Sequence, residues 1–207
     1  MELPKLYPIT DRRLSGQSHA EQVARLIQGG ATFIQLREKH LSPREFYVEA
    51  EEALKVARSN GVKLVINDRA DIALALGADG VHLGQDDMPP RAARALLGER
   101  AVIGCSTHSV EQAIAAARLP VDYIAVGPVF ATTSKEKPDP QVGLEGLRRV
   151  REAVGSVKLV AIGGVTHENG PSVLAAGADS VAVISALLSL EDPSEIARLT
   201  RDFLTRL

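Results

Sequence analysis

Eight short apolar, often β-branched runs alternate with amphipathic helical segments along this 207-residue chain, and that alternation confines it to architectures built on a parallel sheet. The expected strands run from Leu6 to Thr10, Thr32 to Arg37, Lys63 to Asn67, Gly80 to Leu83, Ala101 to Ser106, Tyr123 to Val126, Lys158 to Ile162 and Ser180 to Ile184. Helical patterns such as Glu21 to Ile27 and Phe46 to Ala57 lie between them, with apolar residues recurring three and four apart. Strands this apolar must be covered on both faces. One unit every ~25 residues is near the lower size limit for a strand, a helix and two short loops. The fold class expected is α/β, a single (β/α)₈ TIM barrel over residues 1–207, with an open doubly wound sheet as the alternative.

A weak internal repeat supports the count. Gly77-Ala78-Asp79-Gly80-Val81 and Gly177-Ala178-Asp179-Ser180-Val181 each close a helix and enter a strand, and Gly29-Gly30-Ala31-Thr32 does much the same. Glycine fits the left-handed cap after a helix, so the repeat is read as loop geometry rather than chemistry.

Charge and composition narrow the partners. A net charge of -2, from 24 cations and 26 anions without a block of one sign, argues against nucleic acid. The start Met-Glu-Leu-Pro-Lys lacks the pattern of a signal peptide, and no apolar run has the length of a membrane span. Cys105, the one cysteine, excludes an internal disulfide. The expectation is a cytoplasmic protein that acts on small molecules, away from membranes, with self-association into a homo-oligomer left open.

A barrel of this kind carries its site at the carboxyl ends of its strands. Gln35, Arg37 and Lys39 follow strand two, Asn67 and Asp68 strand three, and Gly84 to Asp87 strand four. Ser106 ends strand five, Thr132 to Lys135 follow strand six, Gly163 and Gly164 strand seven, and Ile184-Ser185 ends strand eight. Cations beside an amide suit phosphate, and two hard carboxylates suit Mg²⁺, which takes one or two protein oxygens and completes its shell with water and substrate phosphate. The glycine pair after strand seven has the placement of a barrel monophosphate site.

Plainer readings stand beside these. Arg37 and Lys39 could form a solvated charge pair with Glu38, Asp68 could cap the helix starting near Ala70, and Asp86 and Asp87 could be first-turn acids before the helix at Pro89. Gly163-Gly164 could be no more than a tight turn. Cys105 is read as a small buried side chain, His82 as either a barrel-interior or a catalytic histidine, and His108 as either a pocket residue or a helix-leading one. Arg148, Arg149 and Arg151 read as a solvated helix face, and Lys135 to Val142 as a long loop.

Taken in order, Thr10-Asp11-Arg12, Gln35-Leu36-Arg37-Glu38-Lys39, Ile66-Asn67-Asp68-Arg69, Gly80-Val81-His82-Leu83-Gly84-Gln85-Asp86-Asp87, Gly104-Cys105-Ser106-Thr107-His108, Gly127-Pro128-Val129-Phe130, Thr132-Thr133-Ser134-Lys135 and Ala161-Ile162-Gly163-Gly164 closely resemble the thiamine phosphate synthase family, from Tyr7 to Ser185. The resemblance implies a (β/α)₈ barrel transferase of thiamine biosynthesis. Such enzymes join hydroxymethylpyrimidine diphosphate to a thiazole phosphate and release diphosphate, with carbon dioxide where the thiazole is carboxylated. It implies that Gln35, Leu36, Arg37, Glu38, Lys39, Asn67, Ser106 and Lys135 hold the pyrimidine diphosphate, and that Asp68 and Asp87 hold Mg²⁺. Thr132, Thr133, Ser134, Gly164, Ile184 and Ser185 would receive the thiazole phosphate, and catalysis would fall to Arg37, Lys39, Ser106 and Lys135.

Asp86, Ala131 and Ser134 stand where the family often has glutamate, proline and threonine, and Cys105 where it usually has valine or another small apolar residue. The chemistry expected is a dissociative substitution in which the aminopyrimidine stabilises a benzylic-like cation, so no protein nucleophile is needed. Two rivals remain: a thiazole tautomerase of the same superfamily, similar around His108, and a non-catalytic phosphate-ligand sensor. Asp87, Lys39 and Lys135 distinguish the first, and Asp68 together with Asp87 the second.

Overall fold

The computed structural model describes residues 2–132, 139–189 and 192–207. Thr133, Ser134 and Lys135, and with them half of the loop from Lys135 to Val142, lie outside the described residues. Among the described residues eight strands form one closed parallel barrel in chain order: β1 (Leu6–Thr10), β2 (Phe33–Leu36), β3 (Lys63–Asn67), β4 (Gly80–Leu83), β5 (Val102–Thr107), β6 (Tyr123–Val126), β7 (Leu159–Ile162) and β8 (Ser180–Val183). The ring closes where β1 pairs with β8, with Tyr7 opposite Ala182. The open sheet is thereby excluded. Strand bounds differ from the sequence expectation by one residue at one or both ends in four of the eight strands, where the barrel hydrogen bonds stop before the apolar run does or extend past it.

Ten α-helices are described: α1 (Arg12–Ser15), α2 (His19–Gln28), α3 (Pro43–Ser59), α4 (Ala70–Leu76), α5 (Pro90–Leu97), α6 (Val110–Ala116), α7 (Gly143–Val154), α8 (Gly170–Ala175), α9 (Ser185–Leu188) and α10 (Ile196–Arg206). Two of them begin with reciprocal capping boxes, Ser18 with Glu21 and Ser42 with Glu45, which satisfy backbone N–H groups that the first turn leaves unpaired.

Side chains alternate across a strand, so each strand supplies two cores. Leu6, Ile34, Leu36, Ile66, Leu83 and Cys105 face outward into the main core between barrel and helices, while Tyr7, Ile9, Phe33, Val65, Tyr123 and Val160 fill the interior. Cys105 is accordingly a buried packing residue. Gly104 makes the interior possible, because a Cβ there would lie 2.1 Å from Tyr123 Cζ.

The internal repeat has a structural cause at the amino-terminal end of the barrel. After left-handed Gly77, Asp79 accepts the N–H of Leu64 through Oδ2 (2.9 Å); after Gly177, Asp179 accepts that of Leu159 in the same way (2.8 Å). Asp122 performs the same task for Ile103 (2.8 Å) while holding Arg94. Arg151, read as part of a solvated helix face, instead binds Asp179 and the carbonyl of Gly177, so its role is to fasten the bottom of the barrel.

Candidate active site

The carboxyl end of the barrel opens into a cavity of about 510 Å³. Gln35, Arg37, Lys39, Asn67, Asp68, Asp87, Ser106, Thr132, Gly164, Ile184 and Ser185 all line it, which brings together every described site residue expected from the sequence except Leu36 and Glu38. The two exceptions follow from the period of two that β2 starts and the segment after it continues. Gln35, Arg37 and Lys39 point inward; Leu36, fully buried, packs outward among the helices.

Glu38 turns back onto its own loop. Its Oε1 accepts the N–H groups of Lys39 (2.8 Å), His40 (2.7 Å) and Leu41 (3.3 Å), and its Oε2 meets His19 Nε2 (3.3 Å). Burial opposes charge on this carboxyl, but the His40 N–H, the His19 ring and the Leu41 N–H outweigh it and hold the pKa below its ordinary value. Of the segment Gln35 to Lys39 expected to hold the pyrimidine diphosphate, the Leu36 and Glu38 side chains therefore do not line the cavity. Glu38 shapes the loop that presents Arg37 and Lys39.

Arg37 is aimed by a residue to which sequence reasoning assigned no role. Asp11, at the end of β1, accepts from Arg37 Nη1 through Oδ2 (2.6 Å), while its Oδ1 caps α1 through the N–H groups of Arg13 and Leu14. The available signal was its position inside Thr10-Asp11-Arg12, immediately after a strand. Arg37 and Lys39 are therefore not a solvated pair with Glu38, since each is bound to an aspartate on the rim.

Asp68 and Asp87 meet at the ends of β3 and β4. Asp87 Oδ2 accepts the Gly84 N–H (2.7 Å), and its pKa is raised, first by burial and then by its contact with Asp68. Neither residue caps a helix: α4 has Arg69 at its cap without a side-chain bond, and α5 starts only at Pro90. Two carboxylates forced together, one partly desolvated, form a donor set that a hard divalent cation would relieve. Among the described residues no third His, Cys, Asp or Glu joins them, so an ion there would complete its shell from water or substrate.

The opposite arc of the mouth is built by β7 and β8. Gly163 and Gly164 have φ of 101° and 62°, and a Cβ on Gly164 would lie 2.4 Å from the Ala131 carbonyl oxygen. The pair is thus pressed against the segment after β6, where backbone alone fits, and Ile184 and Ser185 adjoin it through the cavity lining. His108 sits between the two arcs, its Nδ1 donating to the Gly127 carbonyl (2.6 Å) and its Nε2 3.6 Å from Asp139. It lines the cavity and also leads α6, whose cap is Ser109, so both sequence readings of it hold together. No helix among the described residues is long and apolar enough to cross a membrane.

Comparison with known proteins agrees with this geometry. The family model described as thiamine monophosphate synthase matches residues 6–187. The chain is 47% identical over 198 residues to thiamine-phosphate synthase of Chloroflexus aurantiacus, covering 95% of this chain and 91% of that one. It is 50% identical over 189 residues to thiamine-phosphate synthase of Clostridium novyi, covering 91% and 92%. Among solved structures, thiamine phosphate pyrophosphorylase from Pyrococcus furiosus superposes with a TM-score of 0.86 at 39% identity, covering 98% of this chain and 94% of that one. With the family model spanning nearly the whole barrel and all its rim segments, the chain belongs to the thiamine monophosphate synthase family.

Proposed function

We propose that this protein is a thiamine phosphate synthase: a transferase that moves the pyrimidinylmethyl group of hydroxymethylpyrimidine diphosphate onto the nitrogen of a (carboxy)thiazole phosphate and releases diphosphate. The observation that supports this reading is that two groups suited to anions face each other across one cavity. Arg37, Lys39 and the Asp68–Asp87 pair occupy the β2 to β4 arc, and Gly163-Gly164 occupies the facing arc. A tautomerase or a phosphate sensor needs only the second side.

Arg37 and Lys39 bind the diphosphate and stabilise the negative charge that grows as the carbon–oxygen bond breaks, with Lys135 completing the cationic set by resemblance. Asp68 and Asp87 would hold Mg²⁺, which when bound neutralises leaving-group charge as a Lewis acid. Gln35, Asn67 and Ser106 orient the pyrimidine, whose amino group stabilises the developing cation. Gly164, Ile184 and Ser185, with Thr132, Thr133 and Ser134, anchor the thiazole phosphate so that its nitrogen faces the departing bond. Fixing both partners side by side removes an entropic cost of several kcal/mol, on the order of ~7 in favourable cases. We assign the reaction to a single domain over 1–207 and to the cytoplasm.

Incubation of the purified protein with both phosphorylated heterocycles and Mg²⁺ tests the proposal. Thiamine phosphate is the expected product. Tautomerised thiazole without coupled product, under every divalent metal tried, would instead establish the tautomerase.

A further inference from the structure

A line of hydrogen bonds crosses the floor of the cavity from β2 to β5. Gln35 Nε2 donates to Tyr7 Oη (3.0 Å), Tyr7 Oη lies 2.8 Å from Tyr123 Oη, Tyr123 Oη lies 2.9 Å from His82 Nδ1, and His82 Nε2 lies 2.9 Å from Ser106 Oγ. The aromatic members also pack on one another: the His82 ring stacks on Tyr123 at 5.5 Å, and Tyr7 meets Tyr123 edge-on at 5.8 Å. Tyr7 is 1% exposed and Tyr123 0%, so each hydroxyl hydrogen must be accepted inside the barrel.

Counting hydrogens gives the line a direction. The Gln35 amide nitrogen can only donate, so Tyr7 Oη accepts from it and passes its own hydrogen to Tyr123. Tyr123 then donates to His82 Nδ1, which must be bare. A neutral imidazole with a bare Nδ1 carries its proton on Nε2, where it donates to Ser106 Oγ. The Ser106 hydroxyl hydrogen is left for the cavity at one end, and the Gln35 carbonyl oxygen at the other. Reversing any single bond would leave a buried hydrogen without an acceptor, so the two ends are set together.

We propose that Tyr7, Tyr123 and His82 are positioning residues that hold Gln35 as an acceptor and Ser106 as a donor, selecting a heterocycle that brings an amino N–H to the first and a ring-nitrogen lone pair to the second. The inference rests on the reading of this cavity as the aminopyrimidine site and names the basis of its specificity. The oxo analogue of the pyrimidine, with a carbonyl in place of the amino group, would set oxygen against oxygen at Gln35 and be rejected.

The test begins with the direction itself, read without any turnover. In the full-length chain labelled with ¹⁵N-histidine, the His82 signals are identified by their loss in His82→Gln. The expected spectrum has an unprotonated Nδ1 and a protonated Nε2; a protonated Nδ1, or a signal averaged between the two tautomers, overturns the proposal whether or not the protein makes thiamine phosphate. Kinetics follow in Tyr7→Phe and Tyr123→Phe, which keep shape and remove one link. Selectivity for kcat/KM of the pyrimidine diphosphate over its oxo analogue should fall about 10- to 100-fold, the size expected when a buried partner is lost, while KM for thiazole phosphate stays the same. Unchanged selectivity, or equal losses toward both substrates, overturns it. Should the phenylalanine variants not fold, the histidine spectrum of the unaltered chain decides alone.

Discussion

Lys39 Nζ donates to Asp68 Oδ2, so the cation leaving β2 and the carboxylate leaving β3 form one ion pair at the mouth of the barrel. Asp68 reaches that position from a left-handed backbone, φ 62°, and is the one non-glycine residue with positive φ among the described residues. Its N–H, bonded to the His82 carbonyl at 2.8 Å, keeps it there. Such a conformation costs roughly 1–2 kcal/mol for most side chains but less for Asp and Asn. Asp68→Asn should therefore melt near the unaltered temperature yet lose about 10²- to 10³-fold in kcat, the usual loss for a preorganised electrostatic group. Asp68→Ala should lose as much activity and melt lower, which thermal unfolding alongside steady-state rates will resolve.

Asp11 does not line the cavity but decides where Arg37 points. Asp11→Asn retains an oxygen to cap α1 and gives up the charge that holds the guanidinium. The expected result is KM for the pyrimidine diphosphate raised about tenfold, with KM for thiazole phosphate unaltered, in keeping with ~1.4 kcal/mol per tenfold. Equal rises in both constants would mean that Asp11 serves only to cap the helix.

Gly164→Ala places a Cβ against the Ala131 carbonyl and Phe130 Cβ from a positive φ, so the chain after β7 must move. The rise in KM should fall on thiazole phosphate, with stability lower by about 1–3 kcal/mol, and calorimetric titration of the phosphate alone would show the same loss of affinity.

Acid should weaken the fold through the barrel-floor histidine. Burial lowers the His82 pKa from 6.5 to about 4, against a rise from Asp87 and with a smaller lowering from Lys39. The unfolded chain then binds more protons than the folded one across that window, so the stabilisation is complete above about pH 6.5 and is lost as pH falls toward 4. The loss amounts to about 3 kcal/mol at most. His19, buried and shifted downward mainly by desolvation, adds in the same direction. Urea unfolding at a series of pH values should give His82→Gln a flatter curve than the unaltered chain over this range.

The fold was legible because two signals agreed: alternation of strand and helix patterns, and glycine–aspartate caps whose carboxylates bond an N–H at the start of the neighbouring strand. Much of the rim was legible for the same reason, since a parallel barrel delivers residues after each strand to one end. What a linear motif could not convey was facing. Leu36 and Glu38 sit between Gln35, Arg37 and Lys39 in sequence, yet Leu36 packs outside the barrel wall and Glu38 folds onto its own loop. Nor could it show contacts between strands distant in the chain. Asp11 meets Arg37 across 26 residues and Tyr7 meets Tyr123 across 116, and neither pairing has a spacing that sequence alone would flag.

The central claim is that cations at the Asp68–Asp87 side release the diphosphate, and its most direct test is the rate of diphosphate release against Mg²⁺ concentration in the unaltered chain and in Asp87→Ala. The account predicts a rate that rises to saturation with Mg²⁺ in the first and stays near zero, without metal dependence, in the second. Release that continues at full rate with all divalent metal chelated, or near-normal turnover in Asp87→Ala, would contradict it.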